Sequence, residues 1–249
     1  GSELAGRRVA AAAGAQLKKT VLELGGSDPF VVLHDADLDE ATRVAVSARF
    51  QNGGQSCIAG KRFILVPEIA EAFLARFRER VAQLKQGDPA NEDTDIGPMA
   101  RADLRDGLHR QVAESIKHGA LPLLGCEPLA GPGFFYRPSI LDRVTPGMPA
   151  FDEELFGPVA AIIRAEGEAD ALRLANRHRY GLGGSVWTRD TQRGEVFARA
   201  MECGQAFVNG MVKSDPRLPF GGIKASGYGR ELSLAGIREF VNQKTIWVK

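Results

Sequence analysis

The run Arg62-Phe63-Ile64-Leu65-Val66-Pro67-Glu68-Ile69-Ala70-Glu71-Ala72-Phe73-Leu74-Ala75-Arg76-Phe77 changes period in mid-stretch. Up to Val66 it is β-rich and does not alternate, the pattern of a strand buried on both faces. Beyond it, Ile69, Phe73, Phe77, Val81 and Leu84 recur every three to four residues and mark one face of an amphipathic helix. Pro67 is expected in the first helical turn, where a missing N–H leaves no bond unmade, and Gly87 is the expected stop. A strand that runs into a helix is the building unit of an α/β fold.

The alternation continues on both sides. Towards the N-terminus, Ser2 caps a helix reaching about Ala13, with Glu3 at the positive end of its dipole. Thr20–Leu24 reads as a short strand closed by Gly25-Gly26, and Phe30–Leu33 as a buried one. Asp37 and Glu40 form a D-x-x-E capping pair for a helix reaching towards Gln51. Towards the C-terminus, Leu104, Leu108, Val112 and Ile116 stripe a second strong helix that ends at Gly119. Strands are expected near Leu121–Leu124, Pro138–Leu141 and Val159–Ile163. Helices near Glu168–Arg177 and Thr191–Glu202 flank another strand, Ser185–Thr188, and Ala206–Val208 extends again. The Pro/Gly-rich Glu127–Gly133 is a surface turn or loop. Thr245–Lys249 reads as a final strand whose partner lies elsewhere, another subunit included. The fold class that follows is α/β, a three-layer sandwich with a mainly parallel sheet.

At 249 residues the chain is long enough for a full core, at roughly 150 residues per domain. Thirty-two basic against thirty-one acidic residues leave a formal charge of +1, so no long-range field favours nucleic acid or an anionic membrane. No apolar run has spanning length. Cys57, Cys126 and Cys203 are far apart and odd in number, which argues against a disulfide framework or a zinc site and for a reducing cytoplasm. A soluble enzyme is the expected class. The chain starts at Gly1-Ser2, as an expression scar or as the continuation of a longer parent.

Two residues stand out as candidates for chemistry. Cys57 follows the glycine-rich Gln51-Asn52-Gly53-Gly54-Gln55-Ser56, a setting that presents sulfur to a cleft and stabilises a thiolate with backbone N–H groups. An inert buried cysteine is the alternative. Glu23 ends an apolar strand, where a carboxylate facing a cavity would have a raised pKa suited to a general base, while an edge-strand glutamate facing water is the plainer reading. His34, His109, His118 and His178 occupy no recognisable active-site setting, so a Cys–His hydrolase lacks support. Gly60-Lys61-Arg62 lacks the Ser/Thr of a phosphate-binding loop, and neither G-x-G-x-x-G after a strand nor metal-ligand spacing occurs.

Leu22-Glu23-Leu24-Gly25-Gly26, followed 57 − 23 = 34 residues later by Cys57 in F-Q-N-x-G-Q-x-C, resembles the aldehyde dehydrogenase superfamily. Glu153–Val159 resembles its E-E-x-F-G-P motif, Tyr180–Thr188 its Y-G-L-x-x-x-V motif, and Pro219–Glu231 its P-F-G-G-x-K-x-S-G-x-G-R-E motif. The resemblance implies Cys57 as nucleophile, Glu23 as the base that activates water, and Asn52 as a support of the cysteine loop. It also implies that Glu154 holds the nicotinamide-side ribose hydroxyls of NAD or NADP and that Phe156 packs beside that ribose and the nicotinamide, with Gly1-Ser2 beside the pyrophosphate. Within the superfamily, the Q-N-G-G-Q-S-C run and the C-terminal motif are most similar to bacterial succinate-semialdehyde dehydrogenases. Lys213 and Arg217 are candidates for a substrate carboxylate and equally read as solvated loop charges.

The resemblance further divides the chain into a remnant of a dinucleotide-binding domain (1–24), a catalytic domain (25–231) and a C-terminal helix with an oligomerisation strand (232–249). The expected partners are a small aldehyde and further copies of the chain in a dimer or tetramer. The chain is expected to be the catalytic half of a longer enzyme. Two alternatives stay open at this point: a shortened chain that serves assembly without dinucleotide turnover, and a cofactor-free thiol esterase.

Overall fold

A computed structural model describes residues 1–249. Helix α1 (Glu3–Ala15) opens the chain, and the Ser2 hydroxyl caps it by accepting from Ala5 N at 3.3 Å. Strand β1 is only Leu22–Glu23, because Leu24 bonds outside the ladder, to Ser226 O. Strand β2 (Asp28–Val32) leads to α2 (Leu38–Phe50). Asp37 caps α2 by accepting from Asp39 N and Glu40 N, but the Glu40 carboxylate turns outward to Arg43, so only half of the expected capping box forms. After β3 (Gly60–Leu65), α3 (Ala70–Ala82) begins later than Pro67. Ile69 N bonds Val66 O there, and the proline shapes the turn ahead of the helix.

Helix α4 (Ala102–Lys117) stops two residues short of Gly119. Next come β4 (Leu121–Leu124), β5 (Ser139–Asp142), the single turn α5 (Pro149–Asp152), β6 (Val159–Arg164) and α6 (Glu168–Asn176). The short β7 (Tyr180–Gly181) precedes β8 (Gly183–Trp187), α7 (Thr191–Ala200) and β9 (Gln205–Val208). Two further short strands, β10 (Ile223–Lys224) and β11 (Gly227–Tyr228), lie ahead of α8 (Ser233–Glu239).

One seven-stranded sheet in the order β4-β5-β6-β3-β2-β8-β9 forms the middle layer. Every neighbouring pair is parallel except β4 with β5. Central β3 shows why both faces are covered. Successive side chains on a strand point to opposite faces. Phe63 stacks against Phe73 and Phe77 of α3, while Arg62 donates to the Leu174 and Ala175 carbonyls of α6. Every residue of β3 is buried. No helix is long and apolar enough to cross a membrane.

Thr245–Lys249 forms no strand. Its β-forming residues are in solvent, with Trp247 79% exposed, and no strand of the chain pairs with them. A strand takes its stability from the neighbour that completes its ladder. Two small pairings set up the site instead: β1 lies antiparallel to β11, and β7 antiparallel to β10.

Candidate active site

The cysteine loop is built on left-handed backbone. Leaving α2, the chain makes a tight 3₁₀ turn over Gln51–Gly54 in which Asn52, Gly53 and Gly54 have φ of 55°, 62° and 72°. Asparagine and glycine are the residues that adopt this region at least cost. The Asn52 side chain donates to Gln55 O at 2.9 Å, so Asn52 supports the loop from within. Gly54 backs onto the Glu153–Val159 segment, and a Cβ there would lie 2.3 Å from Gly157 O. From beneath, Arg49 donates to Gly54 O at 2.6 Å, and Lys61 Nζ donates to the Ser56 and Cys57 carbonyls at 2.8 Å each. Cys57 emerges half-buried.

Glu23 is held opposite Gly227 in the β1–β11 pair, and its carbonyl accepts from Gly1 N at 2.7 Å. Both carboxyl oxygens are buried without a hydrogen-bond partner. Burial, and then the charge of Glu231, push its pKa up to about 7, against the polar backbone of Gly222 and the charge of Arg230. Arg230 donates to the Gly222 and Gly229 carbonyls. Glu231 and Arg230 thus act on Glu23 with opposite signs, second to burial.

Glu23 and Cys57 open onto the same cavity of about 620 Å³, whose wall also carries Gly1, Ser2, Glu154 and Phe156. The Glu154 Oε1 accepts from Gly26 N at 3.2 Å and pairs with Lys61 Nζ at 3.1 Å. The Phe156 ring is 36% exposed at this wall. A second cavity of about 340 Å³ shares Gln55 and Ser56 with the first and reaches Asn52, Ile58, Met211 and Val212. Lys213 and Arg217 line neither cavity. Both are exposed, and Arg217 is paired with Asp215, whose carboxyl it holds well below the usual carboxylate range. None of the four histidines lines the first cavity. His178 is pushed down to about 3 by burial and stacks on Tyr180.

The thiol differs from its expected state. Burial raises the Cys57 pKa, and Lys61 is the cation opposing that rise, while Asp28, Glu154 and Glu23 add to it. Cys57 rests as a thiol, so a nearby base is needed to make it a nucleophile. The cluster beneath it, Lys61, Arg49 and Asp28, belongs to the site although no motif marks it in the sequence. All three are at most 1% exposed, and burial pushes Asp28 up to about 6 and Arg49 down to about 9. The available signal was a Lys-Arg pair inside an otherwise apolar buried strand.

The chain is 53% identical over 247 residues to the succinate semialdehyde dehydrogenase [NAD(P)+] Sad of Escherichia coli, covering 99% of this chain and 54% of that protein. It is 50% identical over 248 residues to the succinate-semialdehyde dehydrogenase [NADP(+)] of Mycolicibacterium paratuberculosis, covering all of this chain and 52% of that one. The crystal structure of succinic semialdehyde dehydrogenase from Streptococcus pyogenes with NADP+ superposes with a TM-score of 0.96 at 38% identity, over 99% of this chain and 54% of the other. The chain thus spans about half the length of the curated relatives it matches. Residues 1–246, a stretch that includes both walls of the Cys57–Glu23 cavity, match the aldehyde dehydrogenase family, and to that family this chain belongs.

Proposed function

We propose that the chain carries the acyl-transfer centre of an NAD(P)-dependent dehydrogenase that oxidises succinate semialdehyde, or a similar small semialdehyde, to the carboxylic acid. The observation that carries this reading is that Cys57 and Glu23 line one cavity, with the Glu23 carboxyl pushed up to about 7.

The Cys57 sulfur attacks the aldehyde carbon as its proton passes to the Glu23 carboxylate, giving a thiohemiacetal. Splitting a hard reaction into two easier ones is what a covalent intermediate provides. The Cys57 backbone N–H can serve as one donor for the oxyanion, a role worth ~3–4 kcal/mol per donor in comparable sites. A bound nicotinamide supplies the hydride acceptor that the thiohemiacetal needs to become a thioester. Glu23 gives the thiol's proton up to solvent, then takes a proton from water as that water attacks the thioester carbon, and Cys57 leaves as a thiolate when the acid is released. A carboxyl titrating near neutrality is suited to both proton transfers.

The residues fit a dinucleotide. Ser2 caps a thirteen-residue helix at the cavity wall, so the positive end of α1 would favour an anion bound there. Glu154 spends Oε1 on Gly26 and Lys61 and keeps Oε2 for a ribose hydroxyl. The space beside Oε2 depends on residue 25 being glycine, since a Cβ there would lie 2.5 Å away. Phe156 offers a flat apolar face beside it. The division into residues 1–24, 25–231 and 232–249 follows the same reading. In it the exposed Ile246, Trp247 and Val248 complete a sheet in a second copy of the chain, and the three free cysteines suit the cytoplasm. Of the two loop cations, Arg217 is engaged by Asp215 and neither lines a cavity, so Lys213 could meet a substrate carboxylate only if its loop moved towards Val212 of the second cavity.

The test mixes the chain with NAD or NADP and succinate semialdehyde, beside a Cys57→Ala variant. Reduced cofactor formed only with Cys57 present supports the dehydrogenase. Ester cleavage with no reduced cofactor formed from the aldehyde supports a thiol esterase, and no turnover of either kind supports a role in assembly.

A further inference from the structure

Lys61 is 1% exposed, yet its ammonium is fully used. Its three partners are the Ser56 carbonyl at 2.8 Å, the Cys57 carbonyl at 2.8 Å and Glu154 Oε1 at 3.1 Å. All three are acceptors, and three acceptors call for three N–H donors, which only the charged form has. We propose that Lys61 is the positioning residue of the nucleophile: one buried ammonium sets the direction of the Cys57 sulfur through the two loop carbonyls, supplies the positive charge beneath it, and joins it to the carboxylate of Glu154. This rests on the reading of Cys57 as nucleophile and gives that site its counter-charge.

The surroundings make the role specific. Cys57 is faced by three carboxylates, Asp28 from β2, Glu154 from the segment after α5 and Glu23 from β1, and each raises its pKa. Lys61, from β3, is the cation set against them. Lys61 is itself faced by Glu154 and Asp28, which favour its charge, and by Arg49 of α2, which with burial disfavours it. Arg49 holds Gly54 O, at the start of the loop, and Lys61 holds its end. The two cations thus divide the work: Arg49 fixes the turn and Lys61 aims the thiol.

The experiment compares iodoacetamide alkylation of Cys57 across pH in the wild-type chain, Lys61→Met and Lys61→Gln, assigned by peptide mass and with Cys57→Ser as the blank. It needs neither cofactor nor aldehyde. Failure of the dehydrogenase reading would show separately, as no reduced cofactor from the wild type. Lys61→Met removes charge and donors together, whereas Lys61→Gln removes the charge and keeps a donor head. Loss of a neighbouring cation raises a thiol pKa by about one unit or more. The alkylation midpoint is therefore expected to move up in both variants. The rate below it should fall about threefold per unit, because the scarcer thiolate is also the more nucleophilic. An unchanged midpoint in either folded variant overturns the proposal. Unfolding of the neutral variants also overturns it, since Lys61 would then be an anchor of the fold.

Discussion

Glu23 and Gly227 face each other across the β1–β11 ladder, so the carboxyl of the site is positioned by a glycine 204 residues further along the chain (227 − 23). Gly227 has φ of 114°, and a Cβ on it would fall 1.9 Å from Leu22 O. Neither the backbone conformation nor the space admits a side chain.

Gly227→Ala is therefore expected to part the two strands and to lower stability by about 3 kcal/mol, measured as a shift in the urea midpoint. Activity should fall further than stability, because Glu23 loses its opposing strand. An alanine variant with wild-type midpoint and turnover would contradict the pairing.

The carboxyl of Glu23 links folding to pH. Its folded pKa, about 7, lies above the ordinary 4.5, so the folded state favours the protonated form. Stability from this group is full below about pH 4.5 and is lost as pH rises through 7. Glu23→Gln should match the wild type at pH 4 and exceed it by on the order of 1 kcal/mol at pH 8, a figure reduced for the solvent that reaches this half-buried group. Chemical denaturation at the two pH values measures it. A variant less stable than the wild type at pH 8 would mean that the carboxylate is paired.

Arg62 is the other charge buried in β3. Its guanidinium donates to the Ser27, Leu174 and Ala175 carbonyls and lies over the Phe151 ring. Arg62→Met leaves three buried acceptors unpaired and should cost roughly 3–5 kcal/mol. A loss below about 1 kcal/mol in thermal or chemical melts would show that water replaces the guanidinium.

The sequence made periodic structure legible because burial has a period. Ile69, Phe73, Phe77 and Val81 are all buried along α3, and the non-alternating β3 is covered on both faces. Glycine turns and an apolar strand singled out Cys57 and Glu23, but a buried thiol and a water-facing carboxylate stayed open until the motif resemblance gave them roles, and the structure places both on one cavity. Lys61 was not, since a lysine within a buried strand acquires meaning only from the carbonyls and the carboxylate that close over it. Glu231 was hidden for the same reason, acting on Glu23 through a fold-back between chain ends. Thr245–Lys249 shows the converse limit: its residue types favour a strand, but strand formation needs a partner ladder that the chain lacks.

The most direct test is acylation by p-nitrophenyl acetate, followed by stopped flow and by intact mass on the wild-type chain, Glu23→Gln and Cys57→Ser. Wild type should release a burst of nitrophenolate near one equivalent and then turn over steadily. Glu23→Gln should slow the burst, because the thiol loses its base, and let the acyl adduct accumulate on Cys57, and Cys57→Ser should give neither. Undiminished steady turnover in Glu23→Gln, or an adduct on any other residue, would contradict the account.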